Sequence, residues 1–148
     1  MEQYQCTPPN SGTSATPIVL LAGFPTDEAE CLVDALDQMG WAAIVLRKEA
    51  EIEAAFATTR FDVTVIDAEY LEVFAPHFIA RLRGMEGPSS DATILAVDNS
   101  IFEGFKEQLV RAGADLVVPK PSDPKMYMIN FTRAATHRLQ NISKQQTG

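Results

Sequence analysis

The sequence predicts an α/β domain in which one five-stranded parallel sheet carries helices on both faces. Five short apolar runs alternate strictly with segments of helical periodicity, and parallel strands require crossover connections of this kind. The third run, residues 61–67, is rich in β-branched residues and suits a central strand covered on both faces. A length of 148 residues and a hydrophobic fraction of 46% fit a single core.

The first half of the chain predicts three strands separated by two helices. The continuous apolar run at 17–22 indicates a buried first strand. Residues 27–39 place their apolar side chains at helical spacing and end before a glycine. A second strand follows at 41–46 and a short helix at 49–59. The strand at 61–67 then ends on an aspartate.

The second half continues the same alternation. A loop at 68–75 leads to a helix that begins at Pro76, where the missing N–H of proline is harmless. That helix ends before a Gly/Pro/Ser-rich loop at 84–91. A fourth strand at 92–97 and a helix at 101–112 follow.

A fifth strand at 116–118 precedes a last helix, which is capped by Ser122 or Asp123 and continues to Asn141. Five strand-then-helix units with right-handed crossovers predict a doubly wound sheet of flavodoxin-like type. The flanking segments are polar, and we expect both to be disordered. The predicted organisation is a leader at 1–16, one domain at 17–141 and a tail at 142–148.

The chain is acidic, and its composition excludes several classes of function. A net charge of −8 and a pI of about 4.7 repel phosphate backbones, so we expect no nucleic-acid partner. No apolar run is long enough to cross a membrane, and the N-terminus lacks the pattern of a secretory signal. Cys6 and Cys31 form neither a disulfide framework nor a zinc spacing. We therefore expect a cytoplasmic protein.

Asp67 is the first candidate for a functional residue. It directly follows a buried strand, and in open α/β sheets ligands and chemistry are found at the carboxyl ends of the strands. His77 and His137 lie in helical patterns without the spacing of a catalytic triad or a metal site. No phosphate-binding loop follows the first strand. We therefore expect a binding or signalling role and no independent enzyme.

Two segments resemble the receiver domain of two-component response regulators. Ala112-Gly-Ala-Asp-Leu-Val-Val-Pro-Lys-Pro121 is similar to the receiver segment that forms the fifth strand and delivers a lysine. Ile66-Asp67 matches the end of the third strand. Lys120 follows Asp67 by 53 positions (120 − 67), which agrees with receiver architecture. The resemblance covers residues 17–140 and implies the receiver type of doubly wound fold.

The resemblance implies roles for two residues. Asp67 stands where receivers accept a phosphoryl group from a histidine kinase, and Lys120 stands where a lysine pairs with that phosphoryl group. A carboxylate can act as this nucleophile when the charge of the incoming phosphoryl group is neutralised. We expect Lys120 and Asp67 to form an ion pair. The resemblance also implies a cis peptide before Pro121, which would aim the lysine over the sheet edge.

Four positions depart from the receiver pattern. The two acidic residues that hold Mg²⁺ in receivers fall on Ala22 and Gly23, and neither side chain can ligate a cation. The Ser/Thr that binds phosphoryl oxygens falls on Val97, and the switching aromatic residue of the fifth strand falls on Val117. We therefore expect an atypical receiver, or pseudo-receiver, that holds no metal or other cofactor.

These departures favour a stand-alone domain that acts in signal transduction by protein–protein interaction, with phosphorylation of Asp67 impaired or absent. We expect the partner to be a histidine kinase or another signalling protein, or a second copy in a homodimer. The resemblance places the contact surface on the fourth helix, the fifth strand and the fifth helix. Its candidate residues are Phe102, Lys106, Val110, Val118, Met126, Tyr127 and Asn130.

Two alternatives stay open. The first is a functional receiver, phosphorylated on Asp67 by a histidine kinase, in which Asp27 or Glu28 replaces the missing Mg²⁺ ligands. Both residues lie in the first turn of the first helix, where their ordinary role is to complement the helix dipole. The second alternative is a small-ligand sensor. Its pocket would lie at Ala22-Gly-Phe24, where the loss of two carboxylates leaves a roomier and less polar mouth.

Overall fold

The computed structural model of the chain describes residues 16–71, 74–89, 91–99 and 103–147. The strands are β1 (Ile18–Ala22), β2 (Ala42–Leu46), β3 (Val63–Asp67), β4 (Thr93–Val97) and β5 (Leu116–Val118). The helices are α1 (Thr26–Gln38), α2 (Glu49–Thr58), α3 (Ala68–Leu71), α4 (Ala75–Gly84), α5 (Glu103–Ala112) and α6 (Met126–Thr147).

The strands form one sheet in the order β2-β1-β3-β4-β5, and all neighbours are parallel. β3 is the central strand, and all five of its residues are buried. The register places Asp67 beside Val97 of β4 and places Ala22 beside Ile66 of β3. The five-stranded doubly wound fold predicted from the alternation of patterns is thus confirmed.

The two faces of the sheet carry separate hydrophobic clusters, because successive residues of a strand point to opposite sides. Leu20 and Ile66 belong to the cluster covered by α2, α4 and α5. Leu21 and Val65 belong to the cluster covered by α1 and α6. With both faces covered, the carboxyl ends of the strands form the edge at which polar side chains gather. Among the described residues, no helix combines the length and the hydropathy that a membrane crossing requires.

A buried ion network closes the opposite, amino-terminal edge of the sheet around Asp115, the residue before β5. Arg83 of α4 donates hydrogen bonds to Asp115 Oδ2 at 2.6 Å, to the Ala92 carbonyl at 2.6 Å and to the Gly113 carbonyl at 2.8 Å. Asn141 Nδ2 of α6 donates to Asp115 Oδ1 at 3.1 Å. The network therefore joins α4, β5 and α6.

Some segments differ from their predicted structure. α6 continues to Thr147, so residues 142–147 are helical and the prediction of a disordered tail is wrong for them. The tail contains no Gly or Pro before Gly148, and its lysine and two glutamines are good helix formers. Residues 68–71, predicted as part of a loop, form the short helix α3. The predicted leader lies outside the described residues except for Thr16.

Candidate functional site

Asp67 is the last residue of β3, the central strand, and its side chain is fully buried at the carboxyl edge of the sheet. Lys120 lies two residues beyond β5 and reaches back across β4 to Asp67. The distance from Lys120 Nζ to Asp67 Oδ2 is 2.7 Å, so the predicted ion pair is confirmed. The side chain of Lys120 is only 13% exposed, which shields the pair from water.

The loop that carries Lys120 is anchored through its backbone. The Lys120 N–H donates to Asn99 Oδ1, in the loop after β4, at 2.9 Å. The peptide bond before Pro121 is trans, because the described residues contain no cis peptide, and the predicted cis bond is therefore wrong. The lysine reaches the sheet edge with its loop held by Asn99.

Two further carboxylates approach the same ammonium group. Glu28 of α1 places its Oε1 and Oε2 atoms 3.0 Å and 3.3 Å from Lys120 Nζ. Glu69 of α3 places its Oε1 atom 3.7 Å away. The ring of Phe24 lies beneath, with its centroid 5.8 Å from Nζ, which is within the range of a cation–π contact.

Sequence reasoning missed both of these contacts. It treated Glu28 as a partner of the helix dipole or as a substitute metal ligand, and it did not consider Glu69. A usable signal existed, because Glu28 and Glu69 each follow a strand by only a few residues, and the carboxyl ends of parallel strands meet at one edge.

The carboxylates control the protonation of Lys120. Burial lowers the pKa of the ammonium group, but the hydrogen bonds and charges of Asp67 and Glu28 raise it, and the net pKa lies above its ordinary value. Burial also raises the pKa of Tyr127 in α6, and the negative charges of Asp67 and Glu28 raise it further. At neutral pH the lysine is therefore charged and the phenol neutral.

The positions of the receiver acidic pair carry no charge in this protein. Ala22 ends β1 with its methyl group buried, and Gly23 continues the chain at φ +83°. Neither residue has a side-chain oxygen to offer. Among the residues described, no three His, Cys, Asp or Glu side chains are grouped to hold a metal ion.

The end of β4 offers an additional carboxylate instead of a hydroxyl. Val97 lies beside Asp67 in the register and is fully buried in the cluster under α1 and α6. The next residue, Asp98, is 2% exposed, and its Oδ2 atom has no hydrogen-bond partner within the described part of the chain. The end of β4 therefore places a buried carboxylate directly after Val97, the neighbour of Asp67 in the sheet.

The proposed ligand pocket at Ala22-Gly-Phe24 does not match the structure. Phe24 is fully buried and packs in the hydrophobic cluster, so its ring fills the space that the missing carboxylates were expected to leave. The ammonium of Lys120 lies over that ring. The small-ligand hypothesis therefore loses its structural basis at this position.

The predicted contact surface corresponds to α5, β5 and α6, and only part of it is accessible. Val118 of β5 and Tyr127 and Asn130 of α6 are buried, so they cannot touch a partner directly. Val110 and Met126 are 53% and 46% exposed. Two further residues are partly exposed: Lys106, near Glu103 on α5, and Val117 between the helices. Phe102 lies outside the described residues.

Receiver domains of response regulators resemble this structure. A CheY-like receiver domain protein from Methanospirillum hungatei JF-1 aligns with a TM-score of 0.72 and 12% identity, over 86% of this chain and 99% of that chain. A response regulator from Burkholderia pseudomallei, with a phosphorylated aspartic acid, calcium ion and citrate, aligns with a TM-score of 0.69 and 19% identity, over 86% and 74%.

The receiver domain of the sensor histidine kinase PA1611 from Pseudomonas aeruginosa PAO1 has a magnesium ion coordinated in its active site cleft. It aligns with a TM-score of 0.69 and 16% identity, over 80% of this chain and 97% of that chain. No protein-family model and no curated protein matches the sequence. At these identities the similarity shows that the chain has the receiver fold.

Proposed function

We propose that the protein is an atypical receiver domain, which acts in cytoplasmic signal transduction through protein–protein contacts and has no catalytic turnover of its own. Phosphorylation of Asp67 is impaired or absent. The observation that supports this best is the charge at the carboxyl edge. Lys120 engages Asp67 at 2.7 Å, while Ala22 and Gly23 provide no side-chain ligand for a cation.

The chemistry of phosphoryl transfer explains why this arrangement opposes the reaction. The transferring group carries negative charge, and a bound divalent cation is the usual means of neutralising it. Two of the similar structures hold calcium or magnesium. Here a phosphoryl group would approach Asp67 beside the carboxylates of Glu28 and Glu69, and the ammonium of Lys120 already contacts all three of these carboxylates. Repulsion would therefore disfavour its transfer to Asp67.

Exposed apolar residues on α5 and α6 support the second half of the proposal, a binding role. Val110 and Met126 each expose about half of their surface, and Val110 lines a groove with Lys106, Arg111 and Val117. Exposed apolar side chains beside charged ones are typical of protein interfaces. The partner would be a histidine kinase, another signalling protein or a second copy of the chain.

Sedimentation velocity tests the homodimer directly. We expect self-association that does not change when acetyl phosphate and Mg²⁺ are added, and that is lost in the variant Val110→Glu with Met126→Glu. Leu139→Glu is the matched control, because Leu139 is an exposed apolar residue of α6 that borders a different groove, with Arg60 and Pro88. Association that requires the phosphodonor would contradict the proposal, and a monomer at all concentrations would remove the homodimer from it.

A phosphorylated receiver is the second candidate, and one observation favours it. Asp67 and Lys120 keep the contact that a phosphoacceptor site needs, and Glu28 lies close enough to take part in the site. This candidate requires Lys120 to move toward an incoming phosphoryl group and a cation to take its place. It predicts a Mg²⁺-dependent phosphoryl adduct that disappears in Asp67→Asn.

A further inference from the structure

We propose that Lys120 is the built-in cation of this site, an ammonium group that occupies the place of a divalent ion and excludes it. Glu28 and Glu69 are then positioning residues, whose carboxylates hold the ammonium over Asp67. The inference deepens the proposed function and rests on it, because it gives a physical reason why the site would not need a divalent ion.

The number and the direction of the contacts support this assignment. An ammonium group has three N–H donors, and three carboxylates surround Lys120 Nζ at 2.7 Å (Asp67), 3.0 Å (Glu28) and 3.7 Å (Glu69). The face of Phe24 lies on a further side. The ammonium is therefore held as a central ion inside a shell of ligands.

The residues of the shell belong to different elements, and the fold brings them together around Lys120. Glu28 comes from α1, Asp67 from β3 and Glu69 from α3, and the base of the lysine is held by the hydrogen bond between its N–H and Asn99. Lys120 is thus fixed at its backbone and at its charged end. A lysine that merely crossed the surface would need neither restraint.

The oxygen distances in this shell suit an ammonium group and not a divalent metal ion. Mg²⁺ and Ca²⁺ require oxygen ligands at about 2.0–2.6 Å. The ammonium keeps the carboxylates 2.7 to 3.7 Å from their common centre, too far for either ion to bind without displacing Lys120. The side chains of Glu28 and Glu69 are half-exposed, so both can move inward if the ammonium is removed.

Removing the ammonium should therefore create a divalent-cation site. In Lys120→Ala the carboxylates of Asp67, Glu28 and Glu69 lose the ammonium group that they contact, and a divalent ion would compensate their charge. We expect Lys120→Ala to bind Ca²⁺ with a dissociation constant on the order of 10⁻⁴–10⁻³ M, the range of weak oxygen-ligand sites. The wild type should show no saturable binding in the same titration.

Isothermal titration calorimetry with Ca²⁺ and with Mg²⁺ is the test, on the full chain. Lys125→Ala is the matched control, because Lys125 is an exposed lysine of the same loop region, outside the shell. Lys120→Ala combined with Glu28→Gln removes one ligand and should lose most of the acquired affinity. If Lys120→Ala does not fold in chelator, circular dichroism should show that millimolar Ca²⁺ refolds it.

The calorimetric results separate the role of Lys120 from that of Glu28. Wild-type binding as tight as that of Lys120→Ala overturns the inference, and so does a Lys120→Ala variant that neither binds Ca²⁺ nor refolds with it. Acquired binding that Glu28→Gln leaves unchanged overturns the role of Glu28. Phosphorylation of the wild type would instead overturn the proposed function, and it is measured by mass and not by cation binding, so the two failures are distinguishable.

Discussion

Lys120 is the single residue on which the site depends. Its ammonium contacts carboxylates from three elements, and its contact with Glu28 joins residues 92 positions apart. The side chain is largely buried, so these contacts are less screened than a surface ion pair would be. Loss of its charge would leave Asp67 as a buried carboxylate without its cation, which is strongly unfavourable.

The raised pKa of Lys120 predicts a loss of stability at alkaline pH. Because the pKa is higher in the folded protein than the ordinary value of 10.5, the charged lysine adds stability that is fully present below that pH. This contribution disappears as the pH rises through the folded-state pKa.

Urea denaturation at increasing alkaline pH would measure this effect. Other lysines and tyrosines also titrate in this range, so the quantity to compare is the difference between wild type and Lys120→Gln. We expect this difference in the free energy of unfolding to shrink as the pH rises. A difference that is independent of pH would show that the ammonium charge does not stabilise the fold.

At the scale of elements, the charged side chains of the site lie at the ends of strands or in the segments that follow them, and the sheet and the helices fix their positions. Local patterns were sufficient to predict all five strands and the five main helices, because a strand covered on both faces is a short continuous apolar run and a helix with one buried face has a period of about 3.6. They were insufficient at the end of α6, where good helix formers continue the helix to Thr147.

Gly113 lies in the connection between α5 and β5, where any side chain would be strained. It connects α5 to β5 at φ +130°, and a Cβ there would collide with the side chain of Arg83. We expect Gly113→Ala to lower the free energy of unfolding by about 3 kcal/mol or more, because it strains the backbone and disturbs the buried pair of Arg83 and Asp115.

Gly104→Ala is the matched control for this substitution. Gly104 lies in α5 with open space around it, so alanine should leave stability unchanged or raise it by up to about 1 kcal/mol. Chemical denaturation of both variants gives the comparison. Equal changes in the free energy of unfolding for the two substitutions would mean that the close approach of Gly113 to Arg83 does not contribute to stability.

At the scale of the whole molecule, the two edges of the sheet are closed by different ion networks. Arg83 and Asp115 close the amino-terminal edge and tie α4 to β5 and α6. Lys120 with Asp67, Glu28 and Glu69 closes the carboxyl edge. The two networks thus join helices on both faces of the sheet to the ends of its strands.

The candidate site was only partly predictable from the sequence, because its residues come from separate elements that the fold brings together. Asp67 and Lys120 were found because each belongs to a recognisable segment, and their pairing follows from the order of the strands. In the sequence, Glu28 looks like an ordinary residue of a first helical turn and Glu69 like a loop residue, and the fold brings both to Lys120. Tyr127 and Asn130 were assigned to a contact surface but are buried, because helical spacing alone did not show which side of α6 faces the sheet.

The measurement that tests the central claim most directly is the intact mass of the protein after incubation with acetyl phosphate and Mg²⁺, with Asp67→Asn alongside. If Lys120 replaces the metal and the edge repels phosphoryl groups, neither protein gains a phosphoryl group, and both keep their fold by circular dichroism. A phosphoryl adduct on the wild type that is absent from Asp67→Asn would contradict the account.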